Sequence, residues 1–181
     1  FLFVDVRYPG TVALADGMFP AYTDAIGAVP TVNVAFADAW RWKVEGATAA
    51  RLTVEGGMRP ATSQNVVGEL PGADSDAPLL FIGGHHDTQA DSVGADDNAT
   101  GVAGALECAR VLAKRDRKWT IRAISFGAEE QLSVGSAEYV RHHRGEVERE
   151  ARLIFNLDSY GSYLGWTELF CNGPSQLRDY L

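Results

Sequence analysis

Three short apolar runs, residues 78–83, 119–126 and 152–157, are separated by two stretches with helical spacing, residues 100–114 and 134–143. The first is apolar throughout rather than at every second position, as expected of a strand covered on both faces, the second reads as a further strand, and the third as another buried one. Between the first two, Val102, Ala105, Leu106, Ala109, Leu112 and Ala113 recur at helical intervals. This alternation predicts an α/β fold with a mostly parallel central sheet and helices on both faces. Residues 63–70 alternate loosely, as in a strand with one exposed face, and residues 71–76 read as a loop. A further strand is expected over residues 168–171.

The pattern before residue 63 is different. Strands are expected at residues 1–6, 31–36 and 49–54, with a short helix from near Asp38 through Trp40, Trp42 and Val44. Residues 58–63 read as a linker, which divides the chain into a small β-rich unit, 1–62, and an α/β unit, 63–181. The chain opens inside an apolar run without an initiator Met and stops just after a helix begins at residue 174, so it is expected to be cut at both ends.

With 46% apolar residues a sizeable core is available, and no run of 18 apolar residues could span a membrane. The net charge of −8 argues against nucleic acid as a partner, because phosphate binding needs a basic footprint. Two cysteines, Cys108 and Cys171, make neither a disulfide framework nor a paired zinc motif, and Cys108 is expected to be a small core residue. Neither oligomeric state nor compartment follows from these counts.

In open parallel sheets, ligands bind beyond the carboxyl ends of the strands. There the first apolar run is followed by Gly84-His85-His86-Asp87-Thr88, the second by Gly127-Ala128-Glu129-Glu130, and the third by Asp158-Ser159. Gly94-Ala95-Asp96-Asp97-Asn98 precedes the first helix of this unit. Asp97 or Asn98 alone would read as a helix N-cap, and Glu129-Glu130 alone as solvated charge. Four such clusters at one sheet edge point instead to a metal site. In His85-x-Asp87 the two side chains share a face if strand geometry persists, so the Asp87 carboxylate could accept the second ring N–H of His85. His86 would point away. Of the adjacent Glu129 and Glu130, one can bind metal while the other faces substrate as a general base. His and carboxylate ligands together suit zinc, with cobalt or manganese as alternatives.

The segments GGHHDT from Gly83, GADDNATG from Gly94, GAEEQLSVGSAEYV from Gly127 and NLDSYG from Asn156 together resemble metallopeptidase family twenty-eight. That family holds bacterial leucyl aminopeptidases, glutamate carboxypeptidase and glutaminyl cyclase. The resemblance implies a pair of Zn2+ ions. His85 and Asp158 would hold one, Glu130 the other, and Asp97 would bridge them. It also implies Glu129 as general base, Asp87 as the partner of His85, and a cis peptide at Asp97-Asn98. The family's Glu-Glu-x-Gly-Leu-x-Gly-Ser departs here to Glu129-Glu130-Gln131-Leu132-Ser133-Val134-Gly135-Ser136. Its last zinc ligand, a downstream His, has no counterpart, since His142 and His143 do not fit that motif. The second metal set is therefore expected to be incomplete within this chain, and the chain alone inactive.

The segment Ala28-Val29-Pro30-Thr31-Val32-Asn33-Val34-Ala35-Phe36 resembles the latter part of a protease-associated domain. Taken together, the resemblances imply a secreted or cell-envelope zinc exopeptidase acting on peptides. An aminopeptidase is favoured over a carboxypeptidase, a glutaminyl-cyclase-like member or a non-catalytic receptor-like homologue.

Overall fold

A computed structural model describes residues 2–5, 32–53, 55, 60–89, 92–161 and 168–180. Strand β1 (Leu2–Asp5) pairs in parallel with β2 (Val32–Ala35), and helix α1 (Phe36–Val44) follows β2 directly. The ends of the first expected strand and the start of the second, Phe1, Val6 and Thr31, lie outside the described residues, as do residues 28–30 and residues 58–59 of the expected linker. The strand expected at 49–54 is not formed over residues 49–53, and Val54 lies outside the described residues. Its side chains there are mostly exposed, so β-propensity finds no surface to pack against.

The second unit is a four-stranded sheet in the order β3-β5-β4-β6. It comprises β3 (Val66–Leu70), β4 (Leu79–His85), β5 (Thr120–Phe126) and β6 (Ala151–Asn156). Strand β4 lies between β5 and β6 and is parallel to both, while β3 is antiparallel to β5 at the edge. Helix α2 (Ala99–Leu112) connects β4 to β5, and α3 (Val134–Glu150) connects β5 to β6. Helix α3 runs past the expected residue 143, bending at His143, whose backbone leaves helical geometry. A last helix, α4, spans Ser175–Tyr180. The expected strand at 168–171 is not formed: Leu169 and Phe170 are exposed, with no neighbouring strand to complete a ladder among the described residues.

Alternate side chains of β4 and β5 serve opposite faces, as strand geometry requires. Leu79, Phe81 and Ile124 pack with Tyr139 of α3, while Ile82 and Ile121 pack with Ala105 of α2. The buried stripe of α2 runs through Gly101 and Ala105. Cys108 falls off that stripe and is exposed, contrary to the expected core position. On the α3 side, Arg122 is buried among apolar neighbours. It donates to Glu69 and Glu146 and to the Tyr139 hydroxyl, and lies over the Phe81 ring. The ion pairs thus tie β3, β5 and α3 together, and they leave the carboxyl end of β4 as the open edge where polar side chains gather.

Candidate metal centre

His85 is the last residue of β4 and is 3% exposed. Its register partner on β5 is Phe126, and on β6 the preceding Gly83 pairs with Asn156. The residues just past those partners, Glu129-Glu130 and Asp158, are therefore delivered to either side of His85. Asp97 arrives from the connection to α2, immediately before the N-cap residue Asn98. The peptide between Asp97 and Asn98 is cis.

Three carboxylates surround one ring nitrogen. His85 Nε2 lies 3.1 Å from Asp97 Oδ1, 3.6 Å from Asp158 Oδ1 and 3.8 Å from Glu129 Oε2. The other ring nitrogen, Nδ1, is 3.0 Å from the backbone carbonyl of Asp87. A carbonyl only accepts, so Nδ1 carries the hydrogen and the neutral ring presents the Nε2 lone pair to the carboxylates. Burial opposes charging the ring. The Asp87 carbonyl and the carboxylates of Asp158, Glu129 and Asp97 outweigh it, and the pKa of His85 lies above its ordinary value. The field that favours a proton there favours a divalent cation as well.

The orientation of His85 comes from Asp87, but not by the expected atoms. The Asp87 carboxylate stands 3.6 Å from Nδ1. It accepts instead the backbone N–H groups of Glu129 and Glu130, at 3.0 and 3.1 Å. The chain turns after β4, so strand alternation stops at His85 and the Asp87 side chain swings toward the β5–α3 connection.

Glu130 reaches the same place from that connection. His85, Asp97 and Glu130 each offer a ligand atom, and these atoms lie within 4.8 Å of one another. One Glu130 oxygen takes a hydrogen bond from Gln89. The other, Oε1, is buried without a partner. Burial pushes the Glu130 carboxyl above its ordinary pKa, the Gln89 hydrogen bond pulls it down, and Asp97 and Glu129 add to the rise. Glu129 is more open, at 36% side-chain exposure, and the Ser133 hydroxyl donates to its Oε1 at 3.1 Å. His86 turns away, is exposed, and meets the Ser125 hydroxyl at 2.9 Å.

These donors fit zinc. One imidazole and several carboxylates form its usual nitrogen and oxygen set, and ligands about 2.1 Å from a tetrahedral ion stand about 3.4 Å apart. The separations of 3.1 and 3.6 Å at Nε2 bracket that figure. The orphaned Glu130 oxygen supplies an independent reason, because a buried carboxylate atom without a partner is costly unless a cation meets it. Gln89 and Ser133 were not singled out as parts of this site by sequence, and Asn98 only as a member of the acidic cluster and a possible N-cap, which it is. Gln89 carried a faint signal, two residues past Asp87 in the same segment after the strand.

Residues 65–178 match the sequence profile of peptidase family M28. The chain belongs to that family. It is similar to the aminopeptidase YwaD of Bacillus subtilis, with 37% identity over 122 residues, covering 66% of this chain and 27% of the relative. It is also similar to an aminopeptidase of Pseudomonas aeruginosa, with 28% identity over 75% of this chain and 25% of the relative. Among solved structures, the zinc aminopeptidase of B. subtilis superposes with a TM-score of 0.51 at 37% identity, over 54% of this chain and 24% of that one. An aminopeptidase from Aneurinibacillus gives 0.55 at 25% identity, over 74% and 38%. The chain thus spans about a quarter of the length of the curated relatives it matches.

Proposed function

We propose that the whole protein is a zinc-dependent aminopeptidase. The observation that carries the reading is the convergence of Asp97, Asp158 and Glu129 on His85 Nε2 beside the unpartnered Oε1 of Glu130. Aminopeptidase and zinc metalloprotease relatives support the choice of substrate and metal.

His85 and Asp158 would hold one ion, Glu130 a second, and Asp97 would lie between them. A downstream His, as in the family pattern, would complete the second set. Zinc bound there would polarise the scissile carbonyl and lower the pKa of a water towards about 7. Glu129 would take a proton from the attacking water and hand it to the leaving amine. It stands on the Nε2 side of His85 and is open enough to face a peptide, while the Ser133 hydroxyl fixes one of its oxygens. Asp87 sets the direction of His85 through its carbonyl and that of the Glu129-Glu130 backbone through its carboxylate. Residues 1–62, read as part of a protease-associated domain, would shape access for the substrate.

The mutual reach of His85, Asp97 and Glu130 also allows a single-ion reading, in which those three share one zinc. Zinc stoichiometry and hydrolysis of an aminoacyl anilide by the full-length protein, with and without Glu129→Gln, decide among these. Two zinc ions per chain, retained in Glu129→Gln while hydrolysis falls by about 100-fold or more, is the expected result. Undiminished hydrolysis removes Glu129 as the base, and absence of zinc removes the metal site.

A further inference from the structure

Asn98 is 1% exposed, and its hydrogen bonds go beyond capping a helix. Its Oδ1 accepts the Gly101 N–H at 2.9 Å, which caps α2. The same oxygen accepts the Ser159 N–H at 3.4 Å, and its Nδ2 donates to the Leu157 carbonyl at 2.9 Å. Leu157 and Ser159 flank Asp158, and Asn98 itself follows Asp97. One amide side chain therefore grips the backbone on both sides of one acidic ligand while its own backbone carries the other.

The surroundings are built around this amide. A Cβ on Gly84, the neighbour of His85, would stand 2.8 Å from the Leu157 carbonyl oxygen and 3.1 Å from Asn98 Nδ2. A Cβ on Gly101 would collide with the Leu157 carbonyl and with Asn98 Oδ1. The end of β4, the start of α2 and the residues after β6 thus meet at Asn98, and glycine supplies the room.

We propose that Asn98 is a positioning residue that fixes the separation of Asp97 and Asp158 across His85 Nε2. The proposal rests on the metal-site reading above. The Leu157 carbonyl requires a donor and the Ser159 N–H an acceptor, and a side-chain amide supplies both from one rigid plane. Groups that hold ligand-bearing backbone in place act on the metal without touching it.

Asn98→Ser in the full-length protein is the discriminating variant. Serine ranks with asparagine as an N-cap, so the start of α2 keeps its partner. Its single short oxygen cannot serve both Leu157 and Ser159. Zinc affinity by chelator competition is expected to fall about 10- to 100-fold. The visible spectrum of the cobalt-loaded protein is expected to change as the ligands shift, while the metal-free variant stays folded with its melting temperature lowered by only about 5–10 °C, the cost of the buried hydrogen bonds it gives up. Wild-type zinc affinity together with an unchanged cobalt spectrum would overturn the proposal. A variant that no longer folds would overturn it as well, because Asn98 would then support the core rather than the site. Wild-type protein that takes up no zinc overturns the metal-site reading and this inference with it. That result is told apart because it is seen before any substitution is made.

Discussion

The side-chain carboxylate of Asp87 accepts the backbone N–H of Glu130 at 3.1 Å, and its other oxygen accepts that of Glu129 at 3.0 Å. Each oxygen is committed to one amide, so the pair of glutamates is aimed by a group 42 residues earlier in the chain. Asp87→Asn replaces one oxygen by an NH2 group that cannot accept, and sets two donors face to face. The Glu129-Glu130 turn should shift, with a loss of about 10- to 100-fold in kcat/KM for an aminoacyl anilide. Steady-state kinetics of the purified variant would check this, and wild-type activity would show that the turn is held by other contacts.

The site was legible in sequence where polar groups interrupt apolar runs. His85 closes β4, Glu129-Glu130 follow β5 and Asp158 follows β6, and the parallel topology puts those strand ends together, although β6 is exposed at every second residue rather than buried on both faces as expected. What was not legible is contact between distant segments. The partner of the Asp87 carboxylate depends on where the chain turns after His85, and nothing in HHDT records that turn. Arg122 lies inside an apolar run that reads as buried, yet it is accommodated by Glu69 and Glu146 from 53 and 24 residues away. At residues 49–53 local β-propensity had no partner surface, and at Cys108 a helical pattern wide enough for a core position met a narrower buried stripe.

Glu130 links metal to stability. Its Oε1 is buried without a partner, and burial with the nearby Asp97 and Glu129 disfavours its charge. A cation removes that penalty, so saturating zinc should stabilise the folded protein, by about 2.7 kcal/mol at a concentration 100 times Kd. Glu130→Gln keeps the shape and deletes the charge. The metal-free variant should melt at or above the temperature of the metal-free wild type, while its gain on adding zinc shrinks. Thermal melts with chelator and with zinc give all four values. A variant that loses stability without metal yet keeps the full gain would contradict the assignment.

Acid should weaken the tie between β5 and α3. Hydrogen bonds from Arg122 at 2.8 and 2.9 Å hold the Glu146 carboxyl below its ordinary pKa. A carboxyl with a lower pKa folded than unfolded binds its proton more readily in the unfolded chain. Its stabilisation is therefore complete above the unfolded value of about 4.3 and is lost as pH falls through the lower, folded value. Glu146→Gln should cost about 1–3 kcal/mol at pH 7, since it weakens a partner of the buried guanidinium. Urea unfolding at pH 7 and at pH 3 should show the gap between wild type and variant narrowing at the lower pH. A constant gap would mean that Glu146 contributes packing rather than charge.

Leu132 has a backbone φ of +64° and is 45% exposed. It stands where the family pattern carries glycine, in the turn that leads from Glu130 into α3. A side chain in this left-handed region costs roughly 1–2 kcal/mol, which glycine avoids. Against that, Leu132→Gly gives up a half-buried apolar group and adds freedom to the unfolded chain, each worth up to about 1 kcal/mol. The terms nearly cancel, so the variant should lie within about 1 kcal/mol of wild type despite losing the whole side chain. Leu132→Val keeps most of the apolar volume but places a branched Cβ at positive φ, which is the less tolerated choice there. Urea unfolding of the three proteins should therefore rank valine lowest, with glycine and leucine close together. A steady loss with side-chain size, leucine above valine above glycine, would show that packing and not backbone geometry governs this position.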